Sequence, residues 1–374
     1  AHTNHSLRLG KGEQLVPLSS EVVAKRRNRE AATERLNSLL TEEQKRAFEF
    51  REQLDDLGRE LGQESYVAVV HADGNGVGGS FRQLARQFAS PSLNRDYIEA
   101  MRGFSRKLNE ASKRALQDVI GLLTLHPSQA GKTTLPFRPL VFGGDDVTFV
   151  CRGNLGVSLA AAYLEAFERQ TASVFADAQQ KFYASAGVAI VKMHYPFARA
   201  YHLSEALAQS AKSYLRETQR EASALDWHFA ASGLSGSLQD IRAREYQTDD
   251  GALLLRPLLL KAEEHDQDGR AWRERVEKLV LTFQDDRLQN KGTPQWSGRR
   301  NKLKALREAL RVGPAAIADF RRNYLDNDKL PGFMPGEPYQ DNGWFKGRCG
   351  YFDALELFDH YVPLIEWEGN ANDE

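Results

Sequence analysis

Asp73 and the pair Asp145-Asp146 are the residues of this 374-residue chain whose types and neighbours could do chemistry. Asp73 closes the apolar run Tyr66-Val67-Ala68-Val69-Val70-His71-Ala72 and precedes the glycine-rich stretch Gly74-Asn75-Gly76-Val77-Gly78-Gly79. Asp145-Asp146 follow Gly143-Gly144 in a short turn between two further apolar runs. Taken singly, either spot is a common turn former, because Asp and Gly accept tight backbone geometry. Taken together, two or three carboxylates make a hard oxygen site for Mg²⁺ or Mn²⁺. Such ions reverse the repulsion between acids and a nucleoside triphosphate. Two of them can activate an attacking hydroxyl and stabilise a departing pyrophosphate. Gly74, Gly76, Gly78, Gly143 and Gly144 let backbone approach the phosphates. The successive amides of the turn holding Asn75 and Val77, at the opening of a helix, can bind them. Lys212, late in a following helical segment, is available to neutralise triphosphate charge.

The elements around these residues must bring the two acidic spots together. Tyr66 to Asp73 reads as a buried strand, and Tyr97 to Leu125 carries a helical pattern. Leu135 to Phe142 is a strand whose Pro136 and Pro139 suggest a sheet edge. Val147 to Cys151 returns from it as a hairpin across the Gly/Asp turn. Leu155 to Gln180 is helical, Phe182 to Val191 a strand, Ala198 to Arg220 helical and Ala224 to Phe229 a strand. The order β-α-β-β-α-β-α-β predicts an α+β fold, a ferredoxin-like core with an extra αβ unit. Its first crossover returns the second strand parallel to the first. The carboxyl ends of 66–72 and 135–142 then share one sheet edge, where Asp73 meets the Gly143–Asp146 turn.

The flanks read as helical. Residues 1–64 form a polar lead and an amphipathic arm, with Leu36, Leu39, Leu40, Phe48, Leu54, Leu57 and Leu61 at roughly helical spacing. Thr41-Glu42-Glu43-Gln44 is a capping box. A hairpin is expected at Asp249-Asp250-Gly251, between Arg244-Glu245-Tyr246 and Leu253-Leu254-Leu255. Beyond it comes a helical region interrupted by a Gly/Pro/Asn-rich loop from Leu330 to Arg348. The expected division is 1–64 (arm), 65–260 (core domain) and 261–374 (helical C-terminal domain).

Composition narrows the rest. With a net charge of −1, no global field points to nucleic acid or membrane. Lys25-Arg26-Arg27, Arg299-Arg300 and Arg321-Arg322 are local basic clusters, ordinarily solvated helix faces, with an RNA or partner role as the alternative. Two distant cysteines, Cys151 and Cys349, argue against a disulfide framework or a cysteine zinc site and suit a reducing cytoplasm. No apolar run reaches the about 18 residues of a membrane helix. The opening Ala-His-Thr-Asn, without methionine, suggests a piece of something longer. Three other motifs fail. Gly74-Asn75-Gly76-Val77-Gly78-Gly79 fits a dinucleotide fingerprint, but Asp73 would crowd the pyrophosphate and the expected second strand is missing. Asp73-x-Asn75 begins like a calcium loop that Val77 and Leu84 then break. His265-Asp266 stands in a charged stretch with no supporting histidines. His71, two before Asp73, could face the site but reads as a packed strand histidine.

Four segments also resemble a known family. His71-Ala72-Asp73-Gly74-Asn75-Gly76-Val77-Gly78, Phe142-Gly143-Gly144-Asp145-Asp146-Val147, Ser185-Ala186-Gly187-Val188-Ala189-Ile190 and Ala211-Lys212 are similar, in order and spacing, to the cyclase-like palm domain in the large signature subunit of type III CRISPR effector complexes. Diguanylate cyclases share this palm more distantly. Cys349-Gly350-Tyr351-Phe352-Asp353-Ala354-Leu355-Glu356 looks like that subunit's helical C-terminal region, less specifically. The resemblance implies an enzyme joining ATP into cyclic oligoadenylate messengers when its complex binds target RNA. It implies that Asp73, Asp145 and Asp146, with Ala72, hold two Mg²⁺ or Mn²⁺ ions, and that Lys212 contacts the triphosphate. Other effector subunits and RNA would be the partners; oligomeric state is not addressed. The sequence departs from the pattern at Asn75, where the closest members carry an acid, and it has one palm where the large subunits have two. The alternatives are a non-catalytic nucleotide- or RNA-binding scaffold and a stand-alone mono- or dinucleotide cyclase.

Overall fold

The apolar run that ends in Asp73 becomes the central strand β1 (Tyr66–Gly74) of a six-stranded sheet. Val67 to Ala72 are all buried, so the run shows no alternation of polar and apolar residues. The computed structural model describes residues 5–7, 16–54, 57, 65–88, 90–125, 132–178, 180–230, 236–262, 269–285, 296–333 and 337–364. His265-Asp266 and Leu61 lie outside them. The described residues fall into two units, those within 1–49 and 127–133 and those within 50–126 and 134–374. The first holds helices Ser20–Arg27, Arg29–Asn37 and Glu42–Ala47, with the capping box between Thr41 and Gln44 formed in both directions. It also pairs His5–Leu7 with Val16–Leu18, two short strands within the polar lead.

The second unit carries the sheet. Its other strands are β2 (Phe137–Gly143), β3 (Asp146–Arg152), β4 (Ala184–Lys192), β5 (Ala224–Ala230) and β6 (Leu258–Leu259). The spatial order is β6-β5-β4-β1-β3-β2. β1 runs antiparallel to both β3 and β4, β2 antiparallel to β3, and β4 parallel to β5. The architecture is mixed α+β. β2 lies at the edge, where Pro139 costs no ladder on its outer side, and its register shifts between Pro139 and Val141. β1 and β2 share a direction, as the crossover requires, but β3 stands between them. The acid that meets Asp73 therefore belongs to the neighbouring strand rather than to the end of β2.

Four helices complete this part: α1 (Val77–Gln87), α2 (Asn94–Leu123), α3 (Gly156–Val174) and α4 (Phe197–Glu217). Successive strand residues face opposite sides. Val67 and Val69 of β1 pack with Val150, Ala189, Ala200, Leu207 and Leu57, which puts α4 on their side. Gly156 of α3 approaches Ala68 and Val188, on the other side. Asp73 shares the face of Val67, Val69 and His71, and so looks toward α4.

Residues 261–374 belong to the same unit as the sheet. They contain a π-helical turn, Trp272–Val276, and helices Glu277–Gln284, Arg300–Val312, Pro314–Tyr324 and Phe352–Leu357. The expected hairpin pairs Gln247–Thr248 with Gly251–Ala252 and is extended by Arg348–Cys349 and Trp344–Phe345 into a four-stranded sheet. Cys151 and Cys349 are buried and unpaired.

A buried ion network fastens helix 352–357 to the segment before β6. Arg256, 2% exposed, reaches Asp353 at 3.0 Å and Glu356 at 2.6 Å, and its guanidinium lies 4.8 Å from the Trp227 ring centre. Asp353 also accepts the main-chain N–H groups of Leu255 and Arg256 at 2.8 and 3.0 Å. Removing one partner of a buried pair leaves the other charge uncompensated. Asp353→Ala is expected to lower unfolding free energy by about 3 kcal/mol, read as a shifted urea midpoint.

His228 of β5 adds a pH dependence. It is fully buried, neither ring nitrogen has a hydrogen-bond partner, and burial, with Arg256 nearby, presses its pKa down to about 4. An unfolded histidine titrates near ~6.5, so the unfolded chain binds a proton that the folded one excludes between those values. The stability tied to His228 is complete above pH ~6.5 and is lost as pH falls toward 4, at up to about 1.4 kcal/mol per unit. Between pH 7 and pH 5, His228→Phe should lose less stability than the wild type, by on the order of 2 kcal/mol in urea titrations.

Candidate active site

Strand register builds the acidic cluster. Asp73 and Asp146 are direct partners across the β1–β3 ladder, and Ser185 of β4 is the partner of Asp73 on its other side. Direct cross-strand partners share a face. The row one step inward is Thr148–His71–Gly187, followed by Val150–Val69–Ala189. The sheet thus changes from an apolar face beneath α4 to a polar end within two rows. Asp145, in the turn before β3, is joined to the end of β1 by Gly74 N–H donating to its carbonyl at 3.1 Å. A Cβ on Gly74 would stand 2.7 Å from the Asp145 Cβ, so only glycine permits this approach. Asn109 of α2 accepts the Gly144 N–H at 3.3 Å and steadies the turn from outside the sheet.

Charge is concentrated here with few neutralising partners. Burial, then the Asp73 charge, raises the pKa of Asp145 against the opposing effect of its own backbone hydrogen bond. Burial also raises that of Asp146, with His71 opposing and Asp73 reinforcing. Asp146 Oδ1 is buried without a hydrogen-bond partner and lies 3.5 Å from His71 Nδ1. His71 Nδ1 is itself 3.1 Å from Thr148 Oγ1, and its ring meets Tyr201 of α4 edge-on at 5.9 Å. His71 therefore faces the cluster. Its position two residues before Asp73 in a strand was the signal for this.

Lys212 supplies the positive charge. Its ammonium donates to Asp73 Oδ2 at 2.5 Å and to the Gly74 carbonyl at 3.0 Å. Close packing at Gly187 brings it there: a Cβ on that residue would stand 2.0 Å from the Ser204 carbonyl and 2.4 Å from the Ala208 nitrogen. Helix α4 lies directly on β4 at this point, and Lys212 follows Ala208 by about one turn on the same face.

Asn75 does different work from the acids. Its side-chain NH₂ donates to the Ala222 carbonyl at 3.1 Å, its Oδ1 accepts from Ser185 at 3.0 Å, and its N–H donates to the Tyr183 carbonyl at 2.8 Å. An aspartate could not make the first of these bonds. This explains the departure at position 75: here the residue ties the Gly74–Gly78 turn to β4 and to the segment before β5. Ala72 is fully buried in the sheet, so its main-chain carbonyl is its only group that could reach a cation. Gly76 and Val77 open α1, with Gly78 in its first turn and Gly143 ending β2.

A cleft of about 610 Å³ adjoins the cluster, with Asn75, Lys181, Tyr183, Lys212, Arg216 and Arg220 among its walls. Lys181 lies 4.7 Å from the Tyr183 ring centre and pairs with Glu168 at 2.9 Å. Oxygen donors from three aspartates, one of them with a buried unpartnered oxygen, suit a hard divalent cation. Among the described residues, no three His, Cys, Asp or Glu side chains stand together as a metal site. Among the described residues, no helix is long and apolar enough to cross a membrane.

An α+β sheet carrying paired acids at one strand end, beneath a lysine-bearing helix, is a palm-type arrangement. Residues 66–223 match the family model described as Cas10/Cmr2, second palm domain, and the chain carries a palm domain of that kind. Among solved structures, a Csm1–Csm4 cassette in complex with cA4 is 13% identical, with a TM-score of 0.44, over 86% of this chain and 40% of that one. A Csm1–Csm4 cassette in complex with one ATP is 14% identical, with a TM-score of 0.44, over 85% and 40%. Csm1 in T. onnurineus is 14% identical, with a TM-score of 0.45, over 84% and 40%. The chain spans about 40% of the length of these chains. No curated protein matches it.

The packing at Gly187 is directly testable. Gly187→Val should lift α4 from β4 and cost about 1–3 kcal/mol, the usual range for overpacking. Amide hydrogen exchange should show lost protection in both elements; unchanged protection and stability would mean that α4 does not need this contact.

Proposed function

We propose that this chain is a metal-dependent nucleotidyltransferase of the palm type, joining ATP into a cyclic oligoadenylate-type product in type III CRISPR-like defence. The observation that carries the reading is the register pairing of Asp73 with Asp146, with Asp145 in the adjoining turn and Lys212 on Asp73. The match of residues 66–223 to the second palm domain of Cas10/Cmr2 supports the nucleotide class. The strand order β4-β1-β3-β2, with helical crossovers, supports a ferredoxin-like core between a helical arm (1–64) and a helical C-terminal region (261–374). Two buried, unpaired cysteines accord with a reducing cytoplasm.

Asp73, Asp145 and Asp146, with the Ala72 carbonyl, would hold Mg²⁺ or Mn²⁺. Bound there, such ions supply Lewis-acid activation of a ribose hydroxyl and charge neutralisation at the phosphates. The chain's own groups do the rest. Amides at Gly76 to Gly78, where α1 begins, face negative charge favourably. Lys181, Lys212, Arg216 and Arg220 make the adjoining cleft cationic, so it suits a polyphosphate. Asn75 keeps the turn fixed between the two, with Gly143 and Gly144 allowing close approach on the other side. Asn75, engaged in structural hydrogen bonds, stays outside this ligand set. RNA and further effector subunits are the proposed partners.

The protein incubated with labelled nucleoside triphosphates and Mg²⁺ or Mn²⁺, with and without RNA, should release pyrophosphate and form a cyclic product from ATP. Asp145→Ala/Asp146→Ala should lower the rate by at least about 100-fold, since even indirect metal-site changes cost 10–100-fold. Nucleotide binding without turnover under every activator would favour the scaffold reading, which the closed Lys212–Asp73 pair also accommodates. Turnover independent of RNA would favour a stand-alone cyclase.

A further inference from the structure

We propose that Lys212 is an exchangeable internal counter-ion that couples cation binding at the acids to nucleotide binding in the cleft. This rests on the reading of Asp73, Asp145 and Asp146 as a divalent-cation site. Three carboxylates share the end of the sheet, and the ammonium of Lys212 stands against one of them at 2.5 Å. It also holds the Gly74 carbonyl, at 3.0 Å, so it is chelated by the same segment that would ligate a cation. The pair is part-exposed, with Asp73 at 38% and Lys212 at 21% of side-chain accessibility, so exchange does not require unfolding. Lys212 also lines the cleft, beside Arg216 on the same helix.

One ammonium cannot neutralise both Asp73 and a polyphosphate. While it stays on Asp73, it lowers the negative potential that draws a divalent cation, and it occupies an oxygen that the cation needs. Phosphates in the cleft offer it a second anionic partner. Its transfer there returns Asp73 to the acidic cluster, at the moment when the bound phosphates add demand for positive charge. Cation and nucleotide are therefore positively coupled, and the coupling is reciprocal by linkage. The nucleotide-free protein is held in a low-affinity state for metal. Lys212 contributes a metal-gating role here, separate from its contact with phosphate.

The test uses the full chain with Mn²⁺ alone, followed by electron paramagnetic resonance of the free ion, which reads binding without turnover. Lys212→Gln should bind Mn²⁺ about 10-fold more tightly than wild type, within the usual range of coupling between sites. Lys212→Arg, which retains the charge, should stay close to wild type. In the reciprocal arm, binding of a fluorescent ATP analogue is measured in EDTA. Asp73→Asn, which frees Lys212, should tighten it more than Asp145→Asn, which removes a charge and leaves the pair intact. Equal Mn²⁺ affinity in wild type and Lys212→Gln would overturn the coupling while leaving the cation site standing. No Mn²⁺ binding by any form would overturn the cation site and the coupling with it.

Discussion

Asp73 and Asp146 face each other across adjacent antiparallel strands, with Asp145 one residue away, and their repulsion is what the surrounding structure must manage. Like charges on directly opposed residues of a sheet destabilise the pairing. Burial adds to this for Asp145 and Asp146, both of which hold their protons more tightly than ordinary aspartates. The fold answers with a single ammonium, from Lys212, and places it only because α4 lies on β4 at a residue without a side chain. Gly187, Lys212 and the acids thus form one mechanical chain. Gly74 extends it by letting the turn before β3 reach the end of β1.

The rest of the second unit keeps that sheet end in place. Asn75 joins the turn after β1 to β4 and to Ala222, so the glycine-rich segment cannot drift from the acids. At the far edge of the sheet, Arg256 and Asp353 bind helix 352–357 to the segment before β6, and Asp226 of β5 accepts from Arg242 at 2.6 Å. Arg242 also reaches Ser210 of α4, at 3.3 Å, while Arg270 stacks 3.9 Å from the ring centre of Tyr214 on the same helix. The helix that carries Lys212 is therefore held from the sheet side and from the C-terminal region together. Buried ionic contacts of this kind specify geometry more than they add stability.

Much of the core was legible because its signals are local. Short apolar runs gave the strands at 66, 146, 184 and 224, the first two beside Gly and Asp, and the prolines of 135–142 marked an edge. The hairpin at Asp249-Asp250-Gly251 and the capping box at Thr41 follow from turn and cap chemistry that acts within four residues. Convergence of the acids followed from crossover topology, although the partner of Asp73 lies on β3, beside it, and not at the end of β2. What the sequence did not reveal depends on contacts between distant segments. Asn75 reads as a lost ligand until its amide is seen on Ala222. That the Lys212 ammonium also stands on Asp73, 139 residues away, carries no local signal. His71 was within reach, since strand alternation puts it on the face of Asp73. Asn109, 35 residues from Gly144, gave no sign of its role.

The central claim is that the end of β1 and the start of β3 form one cation site serving a nucleotide. A crystal structure with Mn²⁺ and a non-hydrolysable ATP analogue tests it most directly, because manganese is identified by anomalous scattering. The predicted result is an anomalous peak between Asp73 and Asp146, with the analogue's phosphates beside Lys212 in the cleft. An ordered analogue with no manganese at these carboxylates, or manganese bound only elsewhere, would contradict it.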